Sequence, residues 1–200
     1  VKRISVPRVH CILSAADDLS LLPALVEAGV DGFQVRAKDL DGRALTALTE
    51  RVVRDVRPGG AVVIVNDRLD VALAAGADGV HLGATDLDVA AARRVAPDLL
   101  IGATCRSRAD VEAAAGGGAD YAGFGPVGAS TSKAGLPDPL GVAAVTAAAG
   151  VLPLVAIGGI EPRTAADVVA AGAHGVAVIG AVWRQPDPVS AAKELVAAIG

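Results

Sequence analysis

Short runs of β-branched and other apolar residues alternate along this chain with helix-forming segments that close on glycine. The clearest run, Val62-Val63-Ile64-Val65, suits a strand buried on both faces. Asn66-Asp67 stops it and is placed to cap a helix over Leu69–Ala75, which ends at Gly76. Gly79-Val80-His81-Leu82 forms the next run, and Gly83-Ala84-Thr85-Asp86 leads into another helix. In a parallel βαβ unit both strands point the same way, so Asp67 and Asp86 are expected to emerge together, on neighbouring strands.

A fragment recurs: AGVDGFQVR from Ala28, AGADGVHLG from Ala75, GGADYAGFG from Gly117 and AGAHGVAVIG from Ala171. Each copy closes a helix on glycine, turns through a polar residue and opens an apolar strand. Between copies there is room for a helix, one more strand and another helix. The intervening strands fall at Ala61–Val65, Leu99–Gly102 and Leu154–Ile157, with Arg8–Leu13 ahead of the first copy. Eight parallel-type strands alternating with helices predict an α/β fold, a single-domain (β/α)8 TIM barrel over residues 1–200. A doubly wound open sheet accounts for the alternation but not for recurrence through the whole chain.

Composition narrows the class. Hydrophobic residues make up 52% of the chain, yet Ala and Val supply much of this, and no run reaches the roughly 18–20 apolar residues of a membrane helix. Without a signal-like opening segment the expectation is a cytoplasmic protein with no membrane partner. Cys11 and Cys105 stand far apart, which fits neither a disulfide framework nor a zinc site. A net charge of −4 and an aromatic content of 2% argue against a nucleic-acid partner. An anionic ligand must therefore be held by a few local cations and backbone amides. A homo-oligomer is left open.

Barrels place their chemistry on the loops that follow the strands. After the second strand, Gln34, Arg36 and Lys38 alternate with Val35 and Ala37 and so share one face. Buried cations there call for an anion, or else for an ion-pair network with Asp39 or Asp41. Asn66, Asp67 and Asp86 follow the third and fourth strands; each Asp is either a helix cap or half of a carboxylate pair for a hard cation such as Mg²⁺. After the fifth strand, Thr104 and Ser107 are potential caps, a role that suits Ser107 best. The stretch from Pro126 to Pro139 is too rich in Gly and Pro for regular structure, and its Ser130, Thr131, Ser132 and Lys133 suit a phosphate lid. Gly158-Gly159-Ile160 and Ile179-Gly180-Ala181 follow the last two strands, where many barrels bind phosphate. His10, His81 and His174 fall at or inside strands and read as hydrogen-bonded core residues. Two separate anion grips result, which suit transfer between a diphosphate donor and a phosphorylated acceptor.

QVRAK at Gln34–Lys38, VND at Val65–Asp67, HLGATD at His81–Asp86, STSK at Ser130–Lys133, AIGGI at Ala156–Ile160 and VAVIGAV at Val176–Val182 together resemble the thiamine-phosphate synthase family. The resemblance spans almost the whole chain in order. It implies a (β/α)8 barrel that joins hydroxymethylpyrimidine diphosphate to thiazole phosphate carboxylate, releasing diphosphate and carbon dioxide. It further implies that Gln34, Arg36, Lys38, Asn66, Thr104 and Lys133 hold the pyrimidine diphosphate, with Arg36, Lys38 and Lys133 acting catalytically. Asp67 and Asp86 would bind Mg²⁺, and Ser130, Thr131, Ser132, Gly159, Ile179 and Gly180 would hold the thiazole phosphate.

The chain departs from that pattern in places. Thr104-Cys105-Arg106 stands where the family has Ser, a variable residue and His. Gly180 replaces a serine, the first strand lacks a tyrosine, and the hydroxyls of the 129–133 segment are shifted. A sister group of thiazole tautomerase-like isomerases shares the fold and most thiazole-site residues, but its proton shuttle is thought to sit where Arg106 is found. A non-catalytic paralogue that binds thiamine intermediates is the third reading.

Overall fold

A computed structural model describes residues 4–130 and 137–200. The strands are β1 (Val9–Leu13), β2 (Gly32–Val35), β3 (Val62–Asn66), β4 (Gly79–Leu82), β5 (Leu100–Cys105), β6 (Tyr121–Phe124), β7 (Leu154–Ile157) and β8 (Gly175–Val178). Each pairs in parallel with the next, and β8 closes onto β1, so the sheet is a barrel with no free edge. The crossovers that parallel pairing requires carry α1 (Leu22–Glu27), α2 (Gly42–Val56), α3 (Leu69–Ala74), α4 (Val89–Val95), α5 (Arg108–Gly117), α6 (Val142–Ala148) and α7 (Pro162–Ala170). After β8 come α8 (Gly180–Trp183) and α9 (Pro188–Ile199). The closed (β/α)8 architecture implied by the recurring fragment is therefore the one adopted. No helix among the described residues is long and apolar enough to cross a membrane.

The apolar strands serve two layers. Val63, Val65, Val80, Leu82 and Ile101 face outward and bury against helix residues such as Leu45, Val52, Val56, Val71 and Val111. Inside the barrel, Ile12, Ile64, Leu100 and Val155 come from β1, β3, β5 and β7 and pack with Tyr121 and Ala177. Two glycines make room for rings in this interior. A Cβ on Gly102 would lie 2.1 Å from Tyr121 Cζ, and one on Gly123 would lie 2.6 Å from His81 Cε1. Large and small residues thus interlock across neighbouring strands.

The polar residue of the recurring fragment has a structural task. Asp31, Asp78 and Asp120 each precede an even-numbered strand and accept a hydrogen bond from the neighbouring odd one, at Val9 N, Val63 N and Ile101 N, each 2.8 Å away. In the fourth copy His174 Nε2 meets Val6 O at 2.9 Å. Arg57 reaches Asp78 at 3.0 Å, and Arg93 pairs with Asp120 while also bonding the carbonyls of Leu99 and Gly118. This end of the barrel satisfies backbone groups at the strand entrances and leaves the opposite end for chemistry.

Candidate active site

The C-terminal mouth holds a cavity of about 880 Å³. Gln34, Arg36, Lys38, Asn66, Asp67, Asp86, Thr104, Ser130, Gly159, Ile179 and Gly180 all line it. Thr131, Ser132 and Lys133 lie outside the described residues. Gln34 is buried on β2; Arg36 and Lys38 follow the strand, and Arg36 N extends the ladder by donating to Leu13 O at 2.8 Å. The shared face read from their alternation is the one that meets the cavity.

The two acids do not cap helices. Arg68 occupies the cap position of α3, and Asp88, not Asp86, caps α4 by accepting from Ala91 N at 3.1 Å. Asp67 instead sits at φ 66°, with Arg68 N donating to Asn66 O at 2.8 Å, a tight turn that costs a non-glycine residue on the order of 1–3 kcal/mol. Asp67 N donates to His81 O at 2.8 Å, which holds this turn against the end of β4. Asp86 is held by Gly83 N, 2.7 Å from its Oδ2. Lys38 Nζ lies 2.8 Å from Asp67 Oδ2, while Asp41 is occupied in capping α2, so the cation pairs across the mouth rather than with its sequence neighbours.

Asp67 and Asp86 lie close enough to perturb one another, and their carboxyls are shifted in opposite directions. Burial and then the neighbouring Asp67 push Asp86 up. Burial also raises Asp67, but hydrogen bonds from Lys38 and Asp86, with the charges of Lys38 and Arg36, outweigh it and leave this carboxyl low. Two neighbouring carboxylates that perturb one another fit a divalent cation, whose charge would offset both. Among the described residues no group of three or more His, Cys, Asp or Glu side chains is placed to hold a metal. Two hard oxygen donors, with the other positions left to water and substrate oxygens, match the preference of Mg²⁺.

Beneath the acids lies a neutral polar network. His81 Nδ1 lies 3.2 Å from the Tyr121 hydroxyl, and His81 Nε2 lies 3.0 Å from Thr104 Oγ1. Thr104 is thus a residue of β5 and not a helix cap, whereas Ser107 does cap α5, in a reciprocal box with Asp110. Burial, against a weaker pull from Asp67, lowers His81 to about 4. Burial likewise lowers His10 to about 3. The His10 Nε2 meets Pro7 O at 3.0 Å, and its buried Nδ1 has no partner among the described residues. His10 and His81 lie in strands and His174 immediately precedes β8, as expected, but His10, His81 and Tyr121 also line the cavity, which sequence reasoning missed. The available signal was strand parity: His10 stands two residues before Ile12, an inward-facing position.

The last two strands supply the other wall. Gly158 and Gly159 adopt φ 93° and 64°. A Cβ on Gly159 would lie 2.6 Å from Ala129 O, and one on Gly158 2.5 Å from Pro126 Cβ. These glycines therefore let the chain after β6 run flush over β7, where Val127 N and Gly128 N donate to the carbonyls of Ile157 and Gly158 at 2.8 Å each. Ser130 follows directly. Arg106 clasps both ends of this loop from outside the cavity, donating to Gly125 O at 3.3 Å and to Asp138 O at 3.1 Å. The helix α8 is pinned by Trp183 Nε1, which donates to Ile12 O at 2.9 Å.

Known proteins match this chain along its length. A family model described as thiamine monophosphate synthase matches residues 7–182. The thiamine-phosphate synthase of Chlorobium luteolum is 43% identical over 194 residues, covering 94% of this chain and 92% of that protein. The thiamine biosynthesis bifunctional protein ThiM/ThiE of Symbiobacterium thermophilum is 48% identical over 191 residues, and the match spans 94% of this chain but only 40% of that protein. The solved structure of thiamine phosphate pyrophosphorylase from Pyrococcus furiosus superimposes with a TM-score of 0.87 at 31% identity, covering 96% of this chain and 95% of that one. With these motifs gathered around one cavity and these relatives over nearly its whole length, the chain belongs to the thiamine monophosphate synthase family.

Proposed function

We propose that this chain is a thiamine-phosphate synthase, a transferase that joins hydroxymethylpyrimidine diphosphate to thiazole phosphate carboxylate with release of diphosphate and carbon dioxide. The observation that carries this reading is that both sets of residues read from the sequence as anion grips line one cavity. Arg36, Lys38, Asp67 and Asp86 form one wall, and Ser130, Gly159, Ile179 and Gly180 form the other. A barrel that handled one phosphorylated substrate would have use for the second alone.

In this account Gln34, Asn66 and Thr104 position the pyrimidine diphosphate, and Arg36 and Lys38 stabilise the charge that gathers on the diphosphate as its bond to the pyrimidine methylene breaks. Lys133 is assigned to the same task, and Thr131 and Ser132 to the thiazole phosphate, from the sequence pattern. Asp67 and Asp86 would hold Mg²⁺, which when bound supplies further electrostatic stabilisation of the diphosphate. The pyrimidine-methyl cation left behind is then captured by the thiazole nitrogen. The floor favours that step by being neutral. His10 and His81 are held uncharged by burial, so no imidazolium opposes a cation developing above them.

Nothing at Arg106 favours the tautomerase alternative, because its guanidinium is engaged with loop carbonyls and does not line the cavity. The test is product formation. Incubation of the protein with both substrates is expected to yield thiamine phosphate by mass spectrometry, and either substrate alone is expected to yield none. Binding of both without product would replace the synthase by the non-catalytic paralogue.

A further inference from the structure

The glycine-rich wall has few charges suited to a phosphate. Among the described residues, the charged side chains lining the cavity after β7 and β8 are Glu161, Arg184 and Glu194. Two of these three repel an anion. The other lining cations among the described residues, Arg36 and Lys38, follow β2 on the opposite wall. Arg184 is the cation that the described residues place on the glycine-rich wall.

Gly180 and Arg184 are four residues apart in the turn of α8, where Arg184 N donates to Gly180 O at 3.3 Å. The arginine stem lies over the glycine. A Cβ at position 180 would sit 3.3 Å from Arg184 Cδ and 3.8 Å from Nε, tight enough to displace the stem. Glycine at position 180 thus leaves room for the arginine stem. The bond from Trp183 to β1 fixes the backbone that carries it.

We infer that Arg184 is a substrate-binding residue, supplying positive charge to the monophosphate grip. A guanidinium presents a rigid fork of donors to phosphate oxygens and stays charged at every working pH. The identity of the natural phosphate as that of the thiazole substrate rests on the proposed synthase activity; the anion site itself does not.

The first experiment titrates inorganic phosphate into protein carrying Arg36→Ala, which disables the opposite grip, with and without Arg184→Ala. Loss of Arg184 is expected to weaken phosphate binding by about 10- to 100-fold, the worth of a charge-assisted hydrogen bond; unchanged affinity overturns the inference. In steady-state kinetics Arg184→Ala is expected to raise KM for thiazole phosphate carboxylate by a similar factor and leave KM for the pyrimidine diphosphate within about twofold. Arg184→Lys keeps the charge without the fork and recovers part of the loss. Gly180→Ser, by displacing the stem, raises the same KM but adds little to Arg184→Ala in the double variant. Equal rises in both KM values, or an equal loss of affinity for the thiazole alcohol that lacks phosphate, mark a structural effect and overturn the assignment. Wild-type protein that binds phosphate through Arg184 yet makes no product keeps the anion site and removes the synthase reading.

Discussion

Gly159→Ala tests whether the two walls of the cavity act separately. At φ 64° alanine carries a left-handed penalty of about 1–2 kcal/mol. Its Cβ would lie 2.6 Å from Ala129 O and 2.8 Å from Gly128 C, and these backbone atoms cannot rotate aside. The segment above β7 must lift, which puts at risk the bonds from Val127 N to Ile157 O and from Gly128 N to Gly158 O, each worth about 0.5–1.5 kcal/mol. Stiffening of the unfolded chain returns about 0.4–1 kcal/mol. The net loss is about 2–4 kcal/mol, which for a chain of this size lowers Tm by roughly 5–15 °C at about 2–4 °C per kcal/mol. Thermal unfolding followed by circular dichroism reads the first effect. Kinetics below the transition reads the second: KM for the thiazole phosphate rises while KM for the pyrimidine diphosphate stays near wild type. A Tm within about 2 °C of wild type, with both KM values unmoved, would refute the packing argument.

Other consequences follow from the same geometry. Asp67→Asn and Asp86→Asn are each expected to abolish Mg²⁺-dependent turnover with the fold intact by circular dichroism; normal activity in both removes the metal pair. Because Asp86 is raised by burial and by Asp67, its ionisation opposes folding as pH climbs, so Asp86→Asn is expected to raise the Tm of the metal-free protein at neutral pH, and a lower Tm would contradict the upward shift of this carboxyl. His81 sits near 4 when folded against an ordinary 6.5, so the unfolded chain takes the proton first; its contribution to stability is full above about 6.5 and fades as pH falls towards 4. Urea unfolding across that window reads the slope, and a His81→Gln slope as steep as wild type would count against this. Asp120→Ala, at the far end of the barrel, removes the acceptor for Ile101 N and the partner of Arg93; it is expected to lower Tm by several degrees with kcat/KM unchanged per folded molecule, and an altered kcat/KM would deny that this end is purely structural.

The barrel was legible because the fragment repeats at each even strand and the strands are short and apolar on both faces. Its polar residue carried more meaning than a turn signal: Asp31, Asp78 and Asp120 fasten neighbouring strands, a long-range role that spacing alone does not reveal. The convergence of Gln34, Arg36, Lys38, Asp67 and Asp86 was legible from alternation and strand direction. That neither acid caps a helix was not, because a cap depends on backbone angles, and Asp67 adopts a left-handed turn that places its carboxylate beside Lys38. The neutral network at the floor was hidden as well. Whether His81 meets Tyr121 and Thr104 depends on which strands lie side by side and on the room left by Gly123. Arg106 stood out as a departure from the family pattern, yet its bonds to Gly125 and Asp138 span distances along the chain that no local pattern records.

The central claim is that two grips on one cavity let this chain expel diphosphate from one phosphorylated substrate while holding another. The most direct measurement is diphosphate release by purified protein given both substrates, first with Mg²⁺ and then with EDTA. Release is expected to track thiamine phosphate formation and to stop when the metal is chelated. Release that persists undiminished in EDTA would contradict the role given to Asp67 and Asp86. No release under either condition, with thiazole phosphate still bound by calorimetry, would contradict the synthase reading itself.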